Sequence, residues 1–371
     1  MEKRIAIVFG TRPEIIKFSS IIKHCREQGI GFFTVHTGQH YSREMGKIFF
    51  EQLGLPEPDF RLSVKSSAPF MQGEHTGKMM QEIEKLLLRE KPTDVLVEGD
   101  TNTVLAGALV TAKIATVKQL VSFRPRLGHV EACLRSYDRS MPEETNRVIA
   151  DHVSDLLFAP TEQARENGLK ESIAKEKIFV TGNTIVDALQ MVEKRVQSGN
   201  ALEELKLRSG RYALLTLHRQ ENVDVRERLH SILKGVSEFS RKHGIKVVWP
   251  VHPRTKKMLG KFSIAIPKEV RAVKPLGFLE FLQVEKNAAI VLTDSGGVQE
   301  ESCIFRVPCV TLRENTERPE TVQVGANIVA GWKPEGIAEA AEKMLSRKRK
   351  WQQPFGNGKA GKKIIDIVLR E

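Results

Sequence analysis

Residues 128–147, GHVEACLRSYDRSMPEETNR, hold one imidazole (His129), four carboxylates (Glu131, Asp138, Glu143, Glu144) and three guanidiniums (Arg135, Arg139, Arg147). Acid, base and cation at this density suit proton transfer on an anionic substrate. The stretch has too little apolar periodicity for a packed helix and too much mixed charge for a plain turn. The competing reading is a charged surface loop.

A second cluster, Thr293-Asp294-Ser295-Gly296-Gly297, opens a helical segment that carries Glu300 and Glu301. Such a turn makes a phosphate cradle: Gly296 and Gly297 let the backbone approach, Ser295 donates, and the helix N-terminus favours negative charge. Glu301, one turn in, suits a ribose diol better than a phosphate. Arg318, beyond the next strand, and Arg12, in the other half of the chain, supply cations for a diphosphate. A capped glycine-rich turn is the plain alternative. Gly10-Thr11-Arg12-Pro13-Glu14 follows an apolar run and precedes a helix, so its backbone N–H groups form a further candidate anion site, with Arg12 and Lys17 adding charge. It is not GxGxxG and implies no dinucleotide. Asp100 sits where a strand stops, either as an N-cap or as a reactive carboxylate. His218 and His252 each end a strand; each alone reads as a structural histidine. There is no HExxH or HxH and the carboxylates are dispersed, so no metal and no cofactor is expected.

The elements that must position these groups alternate. Apolar runs at 4–9, 31–37, 94–97, 155–159 and 177–182 read as buried parallel strands in the first half. Runs at 213–217, 245–251, 268–274, 288–292, 307–312 and 327–330 repeat the pattern in the second. Helical spacing occupies 15–26, 43–53, 73–89, 103–113, 146–153, 183–196, 225–243, 279–286, 298–305, 334–347 and the tail from 358. Residues 55–72 read as loop and 197–210 as a polar linker. The fold class is therefore α/β, two Rossmann-like doubly wound sheets, with ligands at the carboxyl ends of the strands and the site expected in a cleft between two such edges.

Composition agrees with a globular chain of 371 residues: 40% hydrophobic, 28% charged, net charge +12. The positive balance fits an anionic small substrate. Three Tyr and three Trp leave few such rings for bases to stack on, which argues against nucleic acid. No apolar run approaches the ~18 residues of a membrane span. Cys25, Cys133, Cys303 and Cys309 show no zinc or redox spacing, and the N-terminus does not resemble a signal peptide, so a cytoplasmic location is expected.

Ten motifs in order along nearly the whole chain resemble the non-hydrolysing UDP-N-acetylglucosamine 2-epimerases: GTRPEIIK (10–17), TGQH (37–40), GDTNTVLAG (99–107), GHVEACLRS (128–136), MPEETNR (141–147), TGNTIVDA (181–188), HRQEN (218–222), PVHP (250–253), LTDSGGVQEE (292–301) and TERPE (316–320). The resemblance implies the GT-B fold, with domains at 1–190 and 191–355 and a C-terminal helix, 356–371, crossing back to the first. It implies interconversion of UDP-GlcNAc and UDP-ManNAc through elimination of UDP, 2-acetamidoglucal and re-addition, with no redox cofactor, and a supply of ManNAc units for surface polysaccharides or glycans. By motif position, Asp100, Glu131 and Glu143 match the acid/base carboxylates and His218 the histidine beside the diphosphate. Arg12 and Lys17 match nucleotide- and sugar-side ligands, Phe281 a residue beside the uracil, and Ser295, Gly297, Glu301 and Arg318 the diphosphate and ribose ligands. Gln39, His40 and His252 fall in motifs that match a second, activating UDP-GlcNAc site. The family habit is a homodimer.

Two departures fall on the opening stretch. The family usually has Gly where Cys133 stands, a costly exchange if the position needs positive φ. The chain also carries several extra residues within 114–127. Other readings of the same residues are a GT-B glycosyltransferase using a UDP-sugar, a hydrolytic 2-epimerase releasing ManNAc and UDP, and a sugar-nucleotide binding protein without turnover.

Overall fold

Arg4–Phe9 (β1) is apolar almost throughout and buried from its second residue on. A strand buried on both faces belongs inside a parallel sheet flanked by helices. The computed structural model describes residues 3–39, 49–64, 71–116 and 123–370. They divide into two compact units, Met1–Met191 with Phe355–Glu371, and Val192–Pro354.

In the first unit, β1 is joined by Gly31–His36 (β2), Phe60–Arg61 (β3), Asp94–Glu98 (β4), Arg126–Val130 (β5), Leu156–Ala159 (β6) and Ile178–Val180 (β7). The described strands are all parallel, in the order β3-β2-β1-β4-β5-β6-β7. The second unit has Tyr212–Thr216 (β8), Lys246–Pro250 (β9), Val270–Val273 (β10), Ile290–Thr293 (β11), Cys309–Thr311 (β12) and Asn327–Val329 (β13), again parallel, in the order β10-β9-β8-β11-β12-β13. These are the two doubly wound sheets that the alternation predicts. Each sheet reverses direction of winding once, between β1 and β4 and between β8 and β11. At such a switch point the two adjacent loops leave on opposite sides and open a crevice at the carboxyl edge. The crevice loops are 10–11 and 99–101 in the first unit, 217–219 and 294–295 in the second.

Several elements differ from expectation. β3 lies in a segment read as loop; two residues are too short to show a period. β5 was hidden because Gly128 and His129 break the apolar run, yet both are buried: a Cβ on Gly128 would meet Leu96 at 2.5 Å and Phe158 at 3.0 Å. The helix Pro142–Val153 starts four residues before the expected one, so the last third of the 128–147 stretch is helical. Polar Glu144, Asn146 and Arg147 are its buried face, which removes the apolar periodicity that normally marks a helix. Residues 197–210 belong to the second unit rather than forming a free linker: they include the helix Ala201–Glu204, whose Ala201 N–H donates to Gln283 at 2.8 Å. The helix Pro253–Phe262 was unassigned. The expected helix at 43–53 falls largely outside the described residues, as do 117–122 of the segment carrying the extra residues.

The C-terminal helix Ala360–Arg370 returns to the first unit. Ile364, Ile365 and Val368 are buried, and Gly361 allows close approach to the helix Arg12–Glu27, since a Cβ there would lie 2.5 Å from Ser20 Oγ. Asp187 accepts the N–H groups of Gly361 and Ala360 at 2.9 and 3.2 Å and holds the start of the helix. Among the described residues no helix is long and apolar enough to cross a membrane.

Candidate active site

The first crevice is filled by the protein itself. Glu14, at the third position of the helix Arg12–Glu27, turns back on its own N-terminus: Gly10 and Thr11 N–H donate to Glu14 Oε2 at 2.5 and 2.7 Å. Thr101 Oγ1, from the neighbouring loop, donates to Glu14 Oε1. The expected anion site at this turn is therefore occupied by an internal carboxylate in a capping box. Burial raises Glu14 to about 7, against the hydrogen bonds from Thr101, Gly10 and Thr11, which favour the charged form. Gly10 permits the packing, because a Cβ would collide with Thr37 Oγ1 and Thr103 Oγ1. Gln39 is tied into the same layer: its Oε1 accepts from Thr103 N and Oγ1, both at 2.9 Å. His40 lies outside the described residues. Arg12 reaches out to place its guanidinium 4.9 Å above the Phe49 ring.

β4 and β5 run side by side, with Glu98 paired to Val130, so Glu98 and Glu131 leave the sheet together. Lys17, one turn beyond Glu14, donates its ammonium to Glu131 and lies 3.5 Å from Glu98. All three are buried. One ammonium thus lies against two buried carboxylates. Glu131 and Cys133 both have positive φ, +63° and +66°. Backbone strain of this kind collects where a turn must aim a side chain. The turn is held from below. Asp151 accepts Cys133 N–H at 3.1 Å, faces His129 Nδ1 at 2.7 Å and accepts from Arg135 Nη1 at 2.7 Å; Arg135 also binds Glu171 at 2.7 and 2.6 Å. His129 Nε2 meets the Gly99 carbonyl at 2.8 Å. Burial opposes charge on His129, but Asp151 prevails and raises it above its ordinary value; Asp151 is lowered, against its burial, by His129 and Arg135.

Asp100 does not cap the helix Asn102–Thr116; Thr101 and Gln39 accept the N–H of Thr103. Instead Arg147 holds the Asp100 carboxylate at 2.5 Å, and Asn146 donates to the Asp100 carbonyl at 2.9 Å. Arg147 is anchored by Glu144, which also accepts Ser136 and Tyr137 N–H at 3.1 and 2.8 Å. Those contacts keep Glu144 below the ordinary carboxylate value despite its burial. Asp138 caps Ser140 at 3.0 Å. Glu143, half-buried, lies in the first turn of the helix Pro142–Val153 that carries Asn146 and Arg147. Glu131 and Lys17 therefore share one cluster, and Asp100 belongs to a second built by the Glu143 helix.

In the second unit the acid of the crevice turn serves its neighbours. Asp294 is fully buried and accepts His218 N–H at 3.1 Å and Arg219 N–H at 3.0 Å, while His218 Nδ1 lies 3.3 Å from its Oδ1. It therefore orients the histidine. The His218 side chain is 41% exposed, so the far ring nitrogen is the one left for a ligand. His252 starts the helix Pro253–Phe262, its Nδ1 accepting Arg254 N–H at 3.3 Å, and its ring centre lies 6.3 Å from that of His218. Ser295 precedes the helix Gly296–Ile304 without capping it through its side chain. The glycines differ. A Cβ on Gly296 would lie 2.5 Å from Glu317 Oε1, whereas one on Gly297 would meet nothing closer than Ser295 Oγ at 4.0 Å. Glu317 is fixed by Arg313 at 2.8 Å, and Arg318 Nε is bound to the buried Glu300. Glu301 is nearly buried on the same helix, and Phe281 half-buried on the helix Phe278–Lys286.

Residue types alone did not single out Glu98 or Asp151, nor Arg147 as the partner of Asp100. Glu98 and Arg147 act by proximity to Lys17 and Asp100 across strands and helices. Only Asp151 carried a readable hint, an acid among the buried positions of a helix that follows the 128–147 cluster. Among the described residues no group of His, Cys, Asp and Glu has metal-holding geometry.

Two doubly wound α/β units, each with charged groups at its switch point, define the architecture shared with GT-B glycosyltransferases; a glycosyltransferase from Rickettsia africae, 11% identical, matches in fold with a TM-score of 0.57. The sequence profile described as UDP-N-acetylglucosamine 2-epimerase matches residues 23–369. UDP-N-acetylglucosamine 2-epimerases of Methanocaldococcus jannaschii and Methanococcus maripaludis are 51% and 50% identical, over 98% and 99% of both chains respectively. The crystal structure of the M. jannaschii UDP-GlcNAc 2-epimerase in complex with UDP-GlcNAc and UDP superposes with a TM-score of 0.91, covering 99% of this chain and all of that one. A UDP-2,3-diacetamido-2,3-dideoxy-D-glucuronate 2-epimerase of Pseudomonas aeruginosa is 38% identical over 99% of both. The chain belongs to the UDP-N-acetylglucosamine 2-epimerase family, a family of isomerases.

Proposed function

We propose that the protein interconverts UDP-GlcNAc and UDP-ManNAc without net hydrolysis. The observation that carries the reading is the buried Lys17–Glu131 pair with Glu98, at one sheet edge with the Arg147-held Asp100, in a chain half identical to an epimerase solved with UDP-GlcNAc and UDP. The C2–H bond is weakly acidic, so its proton leaves only as charge departs elsewhere. A carboxylate takes the C2 proton, its electrons form the C1–C2 double bond of 2-acetamidoglucal, and the C1–O bond to UDP breaks. Proton return to the opposite face of C2 and re-addition of UDP at C1 give the epimer. Asp100, Glu131 and Glu143 are the acid/base groups. Lys17 sets the charge on Glu131, and Arg12 and Lys17 are nucleotide- and sugar-side ligands of the substrate. His218, oriented by Asp294, stabilises departing UDP. Ser295, Gly296, Gly297 and the helix they open hold the diphosphate with Arg318, Glu301 the ribose and Phe281 the uracil. Gln39, His40 and His252 are proposed for an activating UDP-GlcNAc. A cytoplasmic homodimer supplying ManNAc units for surface polysaccharide completes the reading.

Incubation with UDP-GlcNAc in D2O, followed by NMR, tests it. UDP-ManNAc deuterated at C2 is expected; free ManNAc with UDP, or binding without exchange, would overturn it. Offering UDP-2,3-diacetamido-2,3-dideoxyglucuronate in parallel tests the sugar, because the P. aeruginosa relative is named for that substrate; the expected outcome is faster exchange with UDP-GlcNAc.

A further inference from the structure

His129 is fully buried near the carboxyl end of β5, and both of its ring nitrogens meet acceptors. Nε2 faces the Gly99 carbonyl at 2.8 Å and Nδ1 faces Asp151 Oδ1 at 2.7 Å. A carbonyl oxygen only accepts, so Nε2 carries a proton. Asp151 also accepts Cys133 N–H at 3.1 Å and Arg135 Nη1 at 2.7 Å, which holds it as a carboxylate, so Nδ1 carries one too. A ring that donates from both nitrogens is an imidazolium. Burial opposes that charge, and Asp151, the Gly99 carbonyl and Glu98 outweigh it. Around the pair stand Glu98 at the end of β4, itself 3.5 Å from the Lys17 ammonium, and Cys133 and Arg135 on the turn after β5. Arg135 leads on to Glu171, which His152 Nε2 approaches at 3.3 Å.

The ring spans the two strand ends that carry the proposed acid/base groups. Gly99, which precedes Asp100, also donates its N–H to the Val130 carbonyl at 3.1 Å, and Val130 precedes Glu131. Gly99, Glu131 and Cys133 have positive φ, +82°, +63° and +66°. Such a backbone persists where its surroundings fix it. Here His129 holds Gly99 and Asp151 holds Cys133. Asp151 lies one helical turn from Arg147, which holds the Asp100 carboxylate at 2.5 Å, so one buried helix face serves both turns.

We propose that His129 is a positioning residue: a buried imidazolium that ties the turn bearing Asp100 to the turn bearing Glu131 and so sets the spacing of the two carboxylates. This rests on the reading of Asp100 and Glu131 as acid/base groups. A neutral ring would leave one of its two acceptors facing a lone pair, and the turn on that side would come loose. A shift of about 1 Å at a reacting group costs about a hundredfold in rate. The tie acts on the proton-transfer step, with the nucleotide ligands of the second unit untouched.

Histidine-selective nitrogen NMR and C2–H exchange test charge and position separately. In the full-length protein the two ring nitrogens of His129, assigned by their loss in His129→Gln, should both show protonated-type shifts between pH about 6 and 8; a nitrogen without its proton in that range would overturn the proposal. His129→Phe, which deletes both donors, should lower kcat for C2 exchange about 100-fold with KM and UDP affinity within about twofold. His129→Gln, which keeps a donor, should recover part of that loss. Unchanged kcat in His129→Phe, or an equal loss of kcat and UDP binding, would overturn the positioning role. Asp151→Asn keeps an acceptor for Cys133 N–H and removes the charge that holds the ring proton. Its exchange rate should fall as the ring loses that proton with rising pH, at or below about 6.5, a limb the wild type lacks; identical pH profiles would overturn the role of the charge. Wild-type protein that exchanges no C2 proton would remove the acid/base reading and the proposed role with it, while the nitrogen shifts would still report the imidazolium.

Discussion

The chain makes the same strand–turn–helix twice at a switch point and finishes it in opposite ways. In the first unit the helix Arg12–Glu27 receives its own anion, Glu14, whose carboxylate takes the N–H groups of Gly10 and Thr11. In the second, the helix Gly296–Ile304 begins at Ser295 with no side-chain cap, and the acid that precedes it, Asp294, turns instead to His218 and Arg219. A helix N-terminus attracts one anion well. Where that anion is internal the turn is a brace; the uncapped turn is the one proposed above for the diphosphate. The proposed function places proton handling in the first unit, through carboxylates on adjacent strand ends, and the nucleotide in the second.

The largest effect expected from this division is on chemistry alone. Glu131→Gln should slow C2 exchange on the order of 10³-fold while UDP binding, measured by calorimetry, stays within about twofold. Equal loss of binding and exchange would break the division. Next comes the brace. Glu14→Ala strips a buried partner from two N–H groups and a hydroxyl and should cost about 2–4 kcal/mol in urea unfolding; a tighter grip on UDP in this variant would show that the first turn is an anion cradle after all. The raised value of Glu14 also has a pH consequence. The folded state favours the neutral acid, so the stabilisation is complete below the ordinary value of 4.5 and is lost as pH rises through about 7. Glu14→Gln should flatten that decline in urea midpoints measured across the same window.

The glycine pair sharpens the other side. Gly297→Ala, with room for its methyl in the protein, should weaken UDP about tenfold by blocking backbone approach and leave the unfolding midpoint unchanged. Gly296→Ala should destabilise the protein by about 1–3 kcal/mol, because the methyl meets a Glu317 carboxylate that Arg313 holds in place. The smallest effect belongs to Cys133. Its φ of +66° favours glycine, yet its side chain packs with Leu134, Leu157 and Ile178, where a glycine at 168 leaves room for the sulfur. Cys133→Gly should therefore gain and lose about 1 kcal/mol each and move the unfolding midpoint little.

Much of this was legible in the chain. Continuous apolar runs such as RIAIVF and the glycine-bearing turns after them mark parallel strands and their helices, because burial on both faces leaves a strand little room for polar residues. The chemistry-bearing types at Asp100, 128–147 and 293–301 were also visible, since they cluster where apolar runs stop. What the sequence determined by itself, then, is the α/β class, the two-fold repetition of the pattern and the family. Only the tertiary structure decided the partners: that Glu14 closes its own turn, that Lys17 lies against both Glu98 and Glu131, that Arg147 rather than a helix end holds Asp100, and that Asp294 serves His218. Those pairs join residues as many as 114 positions apart, and strand order sets them, through which loops leave the sheet side by side. Local spacing carries no information about that order, whereas burial makes the pairing obligatory once it is formed, because a buried charge without a partner costs several kcal/mol.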